Sequence, residues 1–158
     1  MSDQINCPSC EDGVAHGQMC GNCGGSGKIP RRVVLRITRH KADTPRWEYL
    51  RAKWGDISLL DRDVPYGDDP VATVTALLAE YRAEGREVIA IEVQAPFPVL
   101  MRLVGARREL AVPLIRAAFE RGDDGRAIVV GKDQNGRDLF KFSHYEELVR
   151  IEFETRRL

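Results

Sequence analysis

Cys7-Pro8-Ser9-Cys10 and Cys20-Gly21-Asn22-Cys23-Gly24-Gly25-Ser26-Gly27 contain all four cysteines of the chain. Each pair is a Cys-x-x-Cys, a spacing that lets a tight turn aim two thiolates at one centre while following backbone N–H groups bond the sulfurs. Two such turns make a tetrahedral four-thiolate site for structural zinc, with iron as the competing metal. The residues between Cys10 and Cys20 suffice to fold one turn back on the other, and glycines at 13, 17, 21, 24, 25 and 27 supply flexible backbone around the metal. A thioredoxin-type dithiol would need one pair between a strand and a helix. A pair of disulfides would suit a secreted chain, but Met1-Ser2-Asp3-Gln4 has neither a basic start nor an apolar run for export. His16 lies in the loop, but four cysteines already complete a tetrahedron.

The second pair continues as Cys20-Gly21-Asn22-Cys23-Gly24-Gly25-Ser26-Gly27 and fits Cys-x-x-Cys-x-Gly-x-Gly, with Gly25 and Gly27 in place. This resembles the DnaJ-type zinc finger, in the two-repeat, single-zinc form similar to anti-TRAP. In the first repeat the glycine positions hold Asp12 and Val14, with Gly13 between them. The resemblance covers residues 7–28 and implies a zinc-built module that binds another macromolecule, commonly a protein. The chain has no His-Pro-Asp motif, so co-chaperone activity is not implied.

At 158 residues, 43% hydrophobic and 30% charged, the chain has the composition of a globular protein. It has room for a small module at 1–28 and a second domain at 29–158. No apolar run approaches the ~20 residues of a membrane span, and cysteines confined to one metal-like cluster fit a reducing cytoplasm. Net charge is zero, but it is unevenly spread: residues 28–54 hold nine Lys or Arg against Asp43 and Glu48, a local +7. Residues 55–70 hold five Asp against Arg62, a local −4.

The fold expected is α+β, a four-cysteine finger followed by a mixed domain of about five strands and three to four helices. Val33, Leu35 and Ile37 alternate with Val34, Arg36 and Thr38, the pattern of a half-buried strand with a basic outer face. Thr44 as N-cap and Pro45 at the first helical position start a helix that carries Trp47, Leu50 and Trp54 and stops at Gly55. Residues 56–69 form an acidic loop. Val71, Val74, Leu77, Leu78 and Tyr81 give one helix an apolar stripe, ended by Gly85. Val88–Val93 is a central strand buried on both faces, interrupted only by Glu92. Short helices at 98–104 and 112–121 and a hairpin turning at Asn135-Gly136 follow in the order of a winged helix over 96–143. Val149, Ile151 and Phe153 alternate with charged residues as a closing strand.

From these features the first functional expectation is a non-enzymatic, zinc-binding adaptor or regulator that binds a protein partner through the finger and the adjacent basic surface. Its candidate zinc ligands are Cys7, Cys10, Cys20 and Cys23. Its candidate partner or nucleic-acid contacts are Arg31, Arg32, Arg36, Arg39, Trp47, Arg51, Arg107, Arg108 and Arg116. The alternative packing for Trp47 and Trp54 is the core. A second expectation is a DNA-binding regulator, with Arg107, Arg108 and Arg116 near DNA and Lys132, Arg137 and Lys141 on the wing. A third is a metal-dependent nuclease, because Glu92-Val93-Gln94 resembles the Glu-x-Gln form of the restriction-endonuclease-like metal site. That site needs a second carboxylate from a neighbouring strand, and the helix after Asp61 and Asp63 separates them from Glu92 in sequence.

Overall fold

The computed structural model describes residues 4–15, 18–21, 23–38 and 42–152. Helices and strands are mixed along the chain behind an N-terminal cysteine cluster, as the motifs predict. The organising element is β4 (Lys28–Ile37), whose ten residues belong to two structures at once. Its first residues pair antiparallel with β1 (Gln4–Asn6), Lys28 opposite Asn6. Its second half lies between β5 (Ser58–Arg62) and β6 (Arg86–Val93), parallel to both. β7 (Leu114–Phe119) runs parallel to β6, and β10 (Phe142–Glu147) closes the sheet antiparallel to β7.

Parallel neighbours require crossovers, and the crossover helices cover both faces of the sheet. α1 (Thr44–Trp54) links β4 to β5 and buries Leu50 with Val34, Ile57, Ala90, Ile115 and Tyr145. α2 (Pro70–Ala83) links β5 to β6 and covers the other face, packing Val74, Leu77, Leu78 and Tyr81 with Leu35, Ile37, Ile91 and Val93. α3 (Phe97–Gly105) and α4 (Arg107–Leu110) join this second face through Leu103, Val104 and Leu110.

The helix over 44–54 is present, but its N-cap is Asp43, whose carboxylate accepts from the Arg46 amide at 3.2 Å. The α2 stripe forms as its 3.6-residue period predicts, and Asp69 caps it by accepting from the Val71 and Ala72 amides. The acidic loop at 56–69 contains a strand, β5, because Leu59 and Leu60 pack on opposite faces of the sheet.

Two further expectations are corrected. The segment 112–121 is not a helix: Leu114–Phe119 is strand β7, with Leu114 in the α2-side core and Ile115 in the α1-side core. A winged helix over 96–143 therefore has no recognition helix. The residues that suggested one, Ile115, Ala118 and Phe119, alternate around a sheet position whose two faces are both apolar. The closing strand lies at 142–147, not 149–154, held by Tyr145 opposite Ala117; residues 149–152 are irregular, and Phe153 and Glu154 lie outside the described residues.

Between β7 and β10 the chain extends a separate arm. β8 (Val129–Lys132) and β9 (Asp138–Phe140) pair with each other in their own two-stranded sheet, with the expected turn at Asn135-Gly136, where Gly136 has φ 75°.

Candidate metal centre

The finger is built from two turns and a small hairpin, β2 (Val14–Ala15) paired with β3 (Gln18–Met19). Reciprocal backbone bonds tie the halves together: the Cys7 amide donates to Gly27 O at 2.9 Å and the Cys20 amide to Gly13 O at 2.8 Å. Gly13, at φ 92°, is pressed so closely on the second turn that a Cβ there would lie 2.0 Å from the Gly25 carbonyl oxygen. The first repeat therefore has its close-approach glycine at 13, between the two positions the second repeat suggests. The close approach fixes the residue type there.

The four sulfurs converge. Cys7 Sγ lies 3.9 Å from Cys20 Sγ, Cys10 Sγ lies 3.6 Å from Cys23 Sγ, and all four are within 4.8 Å of one another. A tetrahedral ion with metal–sulfur bonds of about 2.3 Å requires sulfur–sulfur edges of about 3.8 Å. The cluster has that size, and its four cysteines are free thiols, not disulfides. The donor set therefore fits a four-thiolate metal ion and is consistent with a zinc site. Without a metal the sulfurs must share protons. Desolvation and the thiols of Cys23, Cys20 and Cys7 push Cys10 up to about 12. Desolvation also pushes Cys23 upward, but the Gly27 and Gly25 amides and Cys10 outweigh it and bring Cys23 down to about 6. Amides that hold a thiolate ready for a cation are what a Cys-x-x-Cys turn contributes to such a site.

Comparison with protein-family models gives no match, and no curated protein matches the chain.

A second polar constellation lies under α1, where sequence reasoning placed a basic outer face. Arg36 is fully buried. Its Nε donates to Glu92 Oε2 at 2.6 Å and its Nη1 to Asp61 Oδ1 at 2.7 Å. The register puts Asp61, Arg36 and Glu92 directly abreast on three parallel strands. Tyr145 Oη adds a bond to Glu92 Oε2 at 2.8 Å. Desolvation would lower the Arg36 pKa, but the Glu92 hydrogen bond and the charges of Glu92 and Asp61 outweigh it and hold the pKa above its ordinary value. Burial, then the Glu92 charge, raises the Tyr145 phenol well above its ordinary range.

The topology thus brings Asp61 and Glu92 to one face, although α2 separates them in sequence. The place between the two carboxylates, where a nuclease would hold its metal ion, is filled by the chain's own Arg36 guanidinium. Arg36 is for the same reason no partner contact. The signal for this pairing was present: Val33–Ile37 and Val88–Val93 each carry one charge among apolar neighbours, and the two charges are of opposite sign.

The other proposed contacts that the structure describes are distributed over β4, α1, α4 and β7. Arg31 is exposed near the start of β4, and the Arg32 guanidinium donates to the Trp54 carbonyl at 3.0 Å. Trp47 and Trp54 pack against the α1-side core, and Arg51 covers the Trp47 ring at 5.3 Å. Arg107 and Arg108 are on α4 and Arg116 on β7, where Arg116 pairs with Glu146 at 2.9 Å. Arg39 and His16 lie outside the described residues. Arg116 and Arg137 do line a common cavity, together with Arg46, which sequence reasoning did not single out.

Proposed function

We propose that the chain is a non-enzymatic zinc-binding adaptor or regulator whose DnaJ-like finger docks a protein partner. The observation that carries this reading is the convergence of the four cysteine sulfurs at the spacing of a tetrahedral thiolate site. A metal there acts as the finger's core: few apolar side chains are buried in it, and four metal–sulfur bonds replace them.

What the metal would brace is the β2–β3 hairpin, where Val14 stands opposite Met19. These side chains are 52% and 75% exposed, an apolar pair on a rigid mount. Methionine adapts its shape to varied protein surfaces, and Lys28, Arg31 and Arg32 lie in the first half of the strand that follows the finger. An apolar pair on a module that leads into a cation-bearing strand suits a protein with an acidic, partly apolar face. No helix among the described residues is long and apolar enough to cross a membrane.

The test is affinity capture from the native cell extract with three baits: the wild-type chain, the Cys20→Ser/Cys23→Ser variant and Met19→Asp. The expected result is a partner protein retained by the first and lost from both others, with the Met19→Asp protein still binding one zinc per chain. A capture profile identical for all three baits sinks the proposal.

A further inference from the structure

A cavity of about 660 Å³ opens at the carboxyl ends of β6 and β7. In open parallel sheets this end is where loops and helix starts leave room for a ligand, next to the point where strand order reverses; here β4 is that point, flanked by β5 and β6. The volume falls within the range of small-molecule sites. Three elements bring arginines to it: Arg46 from α1, Arg116 from β7 and Arg137 from the turn of the β8–β9 arm.

Arg46 is the most informative of the three. Its side chain is 13% exposed and its guanidinium covers the Phe119 ring at 5.3 Å. Its contacts with carboxylates are long, Nη1 at 3.8 Å from Glu92 and Nε at 3.6 Å from Asp43. Nε is buried with no hydrogen-bond partner among the described residues. With no close carboxylate, the guanidinium keeps donor capacity for a further acceptor. The carboxylates at the cavity are already engaged: Asp43 caps α1, Asp133 accepts from the Asn135 and Arg137 amides, and Asp138 pairs with Lys132 at 2.7 Å. With Arg116 also paired to Glu146, the forks of Arg46 and Arg137 are the donors this cavity offers to an anion.

The rest of the wall is apolar. Leu100 faces it from α3, and Leu139 and Phe140 from the arm, where they remain 45% and 39% exposed. Gln94 adds an amide at the end of β6; its carbonyl takes the Thr38 hydroxyl and its NH2 reaches Glu92 at 3.4 Å. Planar fork donors beside an aromatic and aliphatic wall suit a ligand with a compact oxyanion and a flat, weakly polar body.

We infer that the cavity binds a nucleotide of mononucleotide size, its phosphate held by Arg46 and Arg137 and its base lying against Phe140, Leu139 and Leu100. The inference is independent of the finger, because none of these residues belongs to the cysteine module.

Calorimetric titration of the metal-loaded full chain with the four nucleoside 5′-monophosphates, the four nucleosides and inorganic phosphate tests it. Saturable binding of at least one monophosphate is expected, with its nucleoside and inorganic phosphate each at least tenfold weaker. Arg137→Ala and Phe140→Ala change exposed side chains and should keep the wild-type melting temperature while weakening the monophosphate at least tenfold. Arg46→Lys keeps the charge but loses the fork, and should weaken it as well. Three results overturn the inference: no heat from any monophosphate at millimolar concentration, phosphate alone binding as tightly as the nucleotide, or unchanged affinity in both Arg137→Ala and Phe140→Ala.

Discussion

The two ends of β4 solve the problem of holding a chain together in opposite ways. At Lys28–Pro30 the strand belongs to a finger with a minimal core, in which close backbone contact between Gly13 and Gly25 and four converging sulfurs replace buried hydrocarbon. At Val33–Ile37 it belongs to a sheet covered on both faces, where apolar burial encloses a charged pair, Arg36 and Glu92, with Asp61 completing the row at its exposed edge. The finger offers four thiolates to an external ion at one point. The sheet supplies its own cation from Arg36 and distributes its stability over two apolar layers.

That contrast can be broken by experiment, and metal removal should have the largest effect. Structural zinc contributes on the order of 10 kcal/mol or more to folding of such sites. Chelation, or Cys20→Ser with Cys23→Ser, should therefore collapse the NMR signals of residues 4–27 into the unfolded range while the signals of β5, β6 and α2 keep their positions. Loss of both sets together would show that the sheet also depends on the metal.

Next in size is the charged row. Arg36→Ala strands Glu92 in the core and should cost about 3–5 kcal/mol, the usual penalty for a buried charge left without its partner. Arg36→Met combined with Glu92→Leu removes both charges and should recover most of that loss, because a well-packed apolar pair replaces a buried ion pair at little cost. Denaturant unfolding measures both. A double variant as unstable as the single one would mean that the row holds the strands in place by more than its charge balance.

The smallest effect is a pH dependence. The Tyr145 phenol titrates higher in the folded chain than in the unfolded one, so above the unfolded value of ~10 the folded state binds more protons. Stability present below that pH is lost as pH rises, by up to about 1.4 kcal/mol per pH unit. Unfolding free energies between pH 10 and 12 should fall more steeply for wild type than for Tyr145→Phe. Parallel curves would remove Tyr145 from the account.

The same division governs what the sequence made legible. The finger could be read because metal ligation fixes residue type and spacing locally: two Cys-x-x-Cys pairs specify a geometry without reference to the rest of the chain. α2 was equally readable, since Val74, Leu77, Leu78 and Tyr81 form a single stripe over one apolar layer. The arm was marked by Asn135-Gly136. The segment that misled was β7, where both faces are covered and the apolar residues need no period of two. Ile115, Ala118 and Phe119 then match a helix by chance. β5 was hidden by Asp61 and Asp63, although Asp61 lies on the sheet because Arg36 is beside it. Arg36 itself was misplaced for a non-local reason. Alternation assigns it a face, but only the position of α1 decides whether that face meets water.

The uninterrupted path of β4 from finger to sheet turns a count of residues into an orientation. Successive side chains of a strand point to opposite sides, so inserting one residue between Gly27 and Val33 would leave both ends intact and turn the finger over relative to the sheet. Inserting two would restore its facing and move it outward by about 7 Å. Deletions and insertions at Arg31 and Arg32 should therefore be tolerated at even length and disabling at odd length, a rule that no side-chain contact enforces.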